Sequence, residues 1–331
     1  MTDEPRPDAP AERVIDLSVP LDLRLTLGLH GRGRNDPALR FEASGSAWRV
    51  TRVPHGPATL YIEVVSAGTQ VRARAWGPGG AQVRARAWGP GGAQALAALE
   101  ALLGLDDDPS ALEPHHLIVA DAARRLRGMR IGRTGRVLEA LFPAILEQKV
   151  TGAEASLAYR GISSRWGEPA PGPAGAHGMR VAPDPAMLAR LPYFEFHPIG
   201  LERRRAELIR LVAREAPRLE RLVETAAGPG GDPAPAYAAL RRFAGIGPWT
   251  AAEVGARAFG DPDAVSVGDF HLPNLVAWAL AGEPRGTDER MLELLAPYAG
   301  QRGRVIRLLE ASGISAPRYG PRLAPRRMER L

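Results

Sequence analysis

The stretch Leu240-Arg-Arg-Phe-Ala-Gly-Ile-Gly-Pro-Trp-Thr-Ala251 constrains this chain more than any other. Gly245 and Gly247 flank a single apolar residue between two helical patterns. Glycines so spaced permit positive φ and a reversal too tight for a Cβ. Ile246 is expected to plug the turn into the core beneath it. Pro248 stands where the next helix begins, at a position that needs no N–H donor. The free N–H groups of Gly247 and the following turn then point outward. Together with the helix dipole they form a neutral anion site suited to a phosphate. Gly-x-Gly alone describes any helix–turn–helix corner; the flanking residues make this pattern more specific.

A lone carboxylate follows in Asp263-Ala-Val-Ser-Val-Gly-Asp-Phe-His-Leu272. Asp269 lies 22 residues beyond Gly247 and precedes an apolar helical run, Phe270 to Leu280. A helix cap alone would explain it, since such a carboxylate accepts backbone N–H groups, which favours its charged form. Facing a cleft, the same group could support positive charge on a sugar ring or orient a water.

The remainder of the chain bounds these readings. Its 331 residues, 45% apolar, suffice for two or three domains with a real core. Of 43 basic side chains only Lys149 is lysine. Abundant Ala, Gly and Pro explain that bias by a GC-rich genome, so the net charge of +6 permits nucleic acid without indicating it. With no cysteine, disulfides, thiolate zinc sites, iron–sulfur clusters and cysteine nucleophiles are excluded. The seven histidines lack metal-ligand spacing, and no side-chain metal site or cofactor is expected. The N-terminus has no apolar run, and no stretch approaches a membrane span. A soluble, monomeric, cytoplasmic protein is predicted, nucleoid-associated if it binds DNA.

Four regions are expected. Residues 1–11 form a disordered lead and residues 12–110 a small α+β domain with an antiparallel sheet. Residues 111–313 form a mainly α-helical bundle, and residues 314–331 a mobile basic tail with five arginines. Strands are predicted at Ala47–Val53, Ala58–Val65 and Gln70–Trp76. Helices are predicted over Gly135–Lys149, with Pro143 inside, and over Thr151–Trp166, with Thr151 as N-cap. Gly167–Pro185 reads as a linker. Val71–Gln82 is repeated letter for letter by Val83–Gln94. Two copies make no solenoid, and a recent duplication is the plain reading. The repeated arginines, Arg84 and Arg86 among them, read as a solvated strand face.

Hairpin, spacing and Gly-Asp context resemble the helix-hairpin-helix superfamily of DNA glycosylases, and within it the 3-methyladenine DNA glycosylase II type. The resemblance covers roughly residues 12–313. It implies a helix-hairpin-helix glycosylase bundle acting on double-stranded DNA with a damaged base, the expected substrate being an alkylated purine. The target would be rotated out of the duplex. It implies Asp269 as the catalytic carboxylate. Gly245, Ile246, Gly247, Thr250 and Lys149 would contact DNA, and Gln148 and Trp249 would border the flipped nucleotide. A monovalent cation on the hairpin carbonyls is implied as well. In members that also nick the backbone a lysine stands where this chain has Trp249, so the resemblance implies a monofunctional enzyme. Lys149 replaces the apolar wedge of the resembled enzyme, and Glu253 and Glu310 replace its pocket aromatics. Tyr193, Phe194, Phe196 and Trp278 are candidates to substitute for those rings. Three other readings stay open: a non-catalytic DNA-binding module, a bifunctional lyase using Lys149, and a glycosylase for hypoxanthine or uracil.

Overall fold

The computed structural model describes residues 10–66 and 81–317. The N-terminal part is an antiparallel sheet of β1 (Ala11–Asp16), β2 (Leu39–Phe41), β3 (Ala47–Val53), β4 (Gly56–Ser66) and β5 (Ala81–Trp88), in the order β1-β5-β4-β3-β2. Alternation builds it. Val83, Ala85 and Ala87 point inward along β5 and pair with Val64, Ile62 and Leu60 of β4. Three short helices, α1 (Leu23–Leu27), α2 (Gly92–Ala97) and α3 (Leu99–Leu102), cover that face with leucines.

The second copy of the repeat supplies β5 from Val83 onward and the start of α2, while Ala81 and Gln82 of the first copy begin the strand. The rest of the first copy, the strand expected at Gln70–Trp76 and nearly all of the basic tail lie outside the described residues. Arg84 and Arg86 face Glu63 and Glu12, at 3.8 and 2.8 Å, and form a solvated ion-paired face.

The expected linker is a correction. Residues 167–185 fold back as β6 (Glu168–Pro169), α7 (Pro173–Ala176) and β7 (Arg180–Val181), after the intervening helices. Ala170, Ala174, Met179 and Val181 pack on Trp48 and Val50 of the outer sheet face. That face also carries Tyr61 and Trp88, too much aromatic surface to leave in water. The Gly/Pro composition serves close approach here. Gly172 has φ +64, and a Cβ on it would strike the Trp88 ring.

The helices are α4 (Leu117–Arg125), α5 (Val137–Leu146), α6 (Gly152–Trp166), α8 (Pro185–Arg190), α9 (Arg203–Arg214), α10 (Ala216–Glu220), α11 (Val223–Ala226), α12 (Ala234–Arg241), α13 (Pro248–Val254), α14 (Leu272–Ala281), α15 (Asp288–Leu295) and α16 (Arg302–Ala311). They form two cores. One surrounds α5, which buries eight of its ten residues and so is apolar all round. The other joins α4 to α14, α15 and α16, far later in sequence.

α5 is shorter than the sequence suggests. Arg136 is extended, and Glu220 of α10 accepts the Val137 and Leu138 N–H groups at 3.0 Å each. At its other end Lys149 adopts φ +57, which breaks the helix before that residue. Thr151 caps α6 in a full capping box with Glu154.

Candidate active site

The hairpin sits between α12 and α13. Ile246 N–H donates to the Phe243 carbonyl at 2.9 Å and closes the reversal. Only one glycine uses left-handed freedom. Gly245 has φ +102, and a Cβ there would stand 3.0 Å from Leu208 Cδ2. Gly247 is extended at φ −94 and caps α13, with open space where a Cβ would be. Pro248 takes the first helical position. The N–H groups of that first turn have no intrahelical acceptor.

Two expected DNA-contact residues are buried, Ile246 as the plug expected of it. Ile246 is 4% exposed and Thr250 is 2% exposed, so their side chains belong to the core and only their backbone can meet a ligand. Thr250 instead receives the Gln148 side chain. Gln148 Nε2 donates at 2.9 Å to both Thr250 Oγ1 and the Gly245 carbonyl. Gln148, two residues past α5, thereby locks the hairpin turn. Lys149, next along, is exposed on its left-handed turn.

Asp269 precedes α14. Its Oδ1 accepts the N–H groups of His271 and Leu272 at 2.7 and 2.9 Å. Its Oδ2 accepts the Trp249 indole N–H at 3.0 Å. Asp269 therefore caps the helix and also touches the first turn of α13. The preceding loop is pinned by four helices. Tyr237 of α12 donates to Asp261 at 2.5 Å, and Arg302 of α16 donates to Asp263 at 2.9 Å. Ser266 donates to Glu253 of α13 at 2.6 Å, and the Gly268 N–H donates to Asp288 of α15 at 3.1 Å.

A cavity of about 50 Å³ lies between the two helical cores, with Ser266 and Leu272, on either side of Asp269, in its wall. Glu253 and Arg257 line it from one core, Ile306, Arg307 and Glu310 from the other, and Leu29 from the N-terminal domain. No aromatic ring is among the described lining residues. Tyr193 and Phe194 lie against one another, Phe196 is fully buried against Trp166, and Trp278 stands on α14; none lines this cavity.

The cavity wall carries charge instead. Burial pushes the Glu253 carboxyl up, but Arg257 beside it, the Ser266 hydroxyl and Arg32 outweigh this and hold it below its ordinary range. Arg257 pairs with Glu253 and donates Nε–H to the Leu29 carbonyl at 3.0 Å. His30 is buried with both ring nitrogens unpartnered. Burial, then Arg49, Arg257, Arg32 and Arg307, push its imidazole well below the usual histidine range.

Sequence reasoning missed Ser266, Arg257 and His30. Trp249, Glu253 and Arg257 recur at i, i+4 and i+8, one helical stripe, a spacing that was available to find Arg257. Nothing in the local sequence marks Ser266 or His30.

No protein-family model matches the chain, and no curated protein matches it. Solved structures do resemble it. A 3-methyladenine DNA glycosylase from Archaeoglobus fulgidus superposes with a TM-score of 0.69 at 19% identity, covering 91% of this chain and 98% of that one. The Clostridium acetobutylicum 8-oxoguanine glycosylase/lyase in its apo form gives 0.64 at 12% identity, covering 92% and 98%. The same enzyme in complex with double-stranded DNA containing cytosine opposite 8-oxoguanine gives 0.63 at 12% identity, covering 93% and 100%. At such identities the likeness establishes fold. The chain shares the mixed α+β fold of helix-hairpin-helix DNA glycosylases.

Proposed function

We propose that this protein is a monofunctional DNA N-glycosylase that hydrolyses the bond between a damaged base and its deoxyribose. The observation that supports this is the Asp269 carboxylate, fixed by three N–H donors between α13 and α14, in a loop whose Ser266 and Leu272 line the inter-core cavity. The hairpin holds one backbone phosphate at the N-terminus of α13 through Gly245 and Gly247, and a monovalent cation on hairpin carbonyls assists it. Phosphate contact of this kind positions the duplex without reading sequence. The nucleotide is rotated out, with Gln148, Lys149 and Trp249 at its border. As the C1′–N bond breaks, its electrons leave with the base. Asp269 supports the positive charge left on the sugar, and water adds to C1′ while its proton passes to Asp269 or solvent.

Trp249 supports a hydrolytic rather than a lyase course. A Schiff base needs an amine, and indole has none. Lys149 is the sole lysine side chain. The substrate carried over from the resemblance is an alkylated purine, whose positive charge makes it a ready leaving group. A second reading, a neutral lesion such as hypoxanthine, is favoured by the cavity lining, which offers Arg307 and Glu310 and no aromatic ring. Cationic bases are attracted by aromatic faces, whereas polar edges are read by paired donors and acceptors. The protein acts as a cytoplasmic monomer on nucleoid DNA in either reading.

The test is base release from two duplexes, one methylated and one containing hypoxanthine, with wild type beside Asp269→Asn. Free base from wild type alone supports the proposal and names the lesion. Tight DNA binding without release from either duplex would leave a binding module.

A further inference from the structure

α13 touches the loop that carries Asp269 at two points one helical turn apart. Trp249 reaches the Asp269 carboxylate, and four residues later Glu253 receives the Ser266 hydroxyl at 2.6 Å. Ser266 is 6% exposed, and its carbonyl accepts the Asp269 N–H at 3.2 Å. The Glu253 carboxylate cannot swing away. Its other oxygen is held by Arg257, whose Nε–H is anchored on the Leu29 carbonyl of the N-terminal domain. Both side chains of this ion pair are more than four-fifths buried. One continuous chain of contacts thus runs from Leu29 through Arg257, Glu253 and Ser266 to Asp269.

A buried carboxylate with both oxygens occupied is costly unless each contact is kept. Packing the loop requires no such group, since Val265 and Leu272 already join the second core. We propose that Glu253 is a positioning residue, which through Ser266 sets where the Asp269 carboxylate stands relative to Trp249 and the cavity. This rests on the glycosylase reading for its consequence, but not for its geometry. Asp269 would be the catalytic residue, while Glu253 and Ser266 act only through it.

The variants are Ser266→Ala, which removes one hydroxyl and leaves the ion pair, Ser266→Thr, which restores a hydroxyl, and Glu253→Gln. Two measurements are made on the full chain. The first is the ¹⁵N-indole NMR resonance of Trp249, identified by its loss in Trp249→Phe. The second is single-turnover base release on whichever lesion wild type accepts, beside affinity for a duplex with an abasic-site analogue. Ser266→Ala and Glu253→Gln are expected to shift the Trp249 resonance and to slow release about tenfold or more, because small misplacements of a reacting group are costly. Affinity should hold, and Ser266→Thr should restore both resonance and rate. The pair should be non-additive in a double-mutant cycle. A Trp249 resonance unmoved in Ser266→Ala overturns the proposal, and so does an unchanged release rate, or a loss of affinity in parallel with rate. If wild type releases no base, the glycosylase reading falls, and the resonance alone still decides whether Glu253 and Ser266 set the loop.

Discussion

The indole N–H of Trp249 donates to Oδ2 of Asp269 at 3.0 Å, across a gap of 20 residues. One carboxylate oxygen therefore serves the helix behind it, and the other faces a residue of the hairpin. The arrangement ties the proposed phosphate grip to the proposed chemistry in a single contact. Any movement of the hairpin is felt at the carboxylate.

Asp269→Asn is expected to lower base release by about 100-fold or more, the scale of losing a positioned proton acceptor. The amide oxygen can still accept the His271 and Leu272 N–H groups, so folding and DNA binding should be kept. Release comparable to wild type would move the chemistry elsewhere.

Trp249→Phe keeps a ring and removes the N–H. A hydrogen bond to a charged group contributes about 1.5–3 kcal/mol, so release should slow by roughly tenfold or more, with abasic-duplex affinity retained. The wild-type product strand should remain intact until treated with alkali, and borohydride should trap no adduct. A trapped adduct lost in Lys149→Met would establish lyase chemistry instead.

The two hairpin glycines should respond differently. Gly245→Ala places a Cβ at φ +102 and 3.0 Å from Leu208, at a cost of about 1–3 kcal/mol by urea unfolding. Gly247→Ala meets open space at an ordinary φ and should stay within about 0.5 kcal/mol. Gly247→Asp should fold equally well but weaken duplex binding, by setting an anion where the phosphate is to lie. Equal binding by wild type and Gly247→Asp would remove the hairpin from the interface.

Gln148→Ala strips hydrogen bonds from the Gly245 carbonyl and the buried Thr250 hydroxyl. Unsatisfied polar groups of this kind cost about 1–3 kcal/mol each. Stability and duplex affinity should fall together, whereas Lys149→Ala should spare stability.

His30 makes stability depend on pH. Burial and the surrounding arginines hold its imidazole well below the ordinary range, so the unfolded chain takes up a proton that the native chain refuses. Above the unfolded value, about pH 6.5, both states are neutral and nothing is lost. Below it, stability declines by up to about 1.4 kcal/mol per pH unit until the folded value is reached. Urea unfolding of wild type against His30→Phe isolates this term. A difference between the two that stays flat from about pH 7 to pH 5.5 would count against it.

Much of this was legible because it is local. The Gly-Ile-Gly-Pro turn, Thr151 as the cap of α6, and the strands β3 and β4 each depend on neighbours a few residues away. The twelve-residue repeat was visible, and its second copy pairs in the sheet from Val83 to Trp88. Composition misled once. The Gly/Pro-rich stretch 167–185 reads as slack chain, yet the aromatic outer face of the sheet draws it into a packed hairpin.

What the sequence by itself determined, then, is the turn, its apolar plug, the spacing to Asp269 and the period of each long element, since propensity and periodicity act over one or two turns. What only the tertiary structure decided is which distant groups answer one another. Glu220 caps α5 from 83 residues away, Gln148 reaches the hairpin across 97, and Arg257 reaches Leu29 across 228. No local pattern encodes these pairings, because a buried polar group is satisfied by whatever partner the folded core brings within about 3 Å of it.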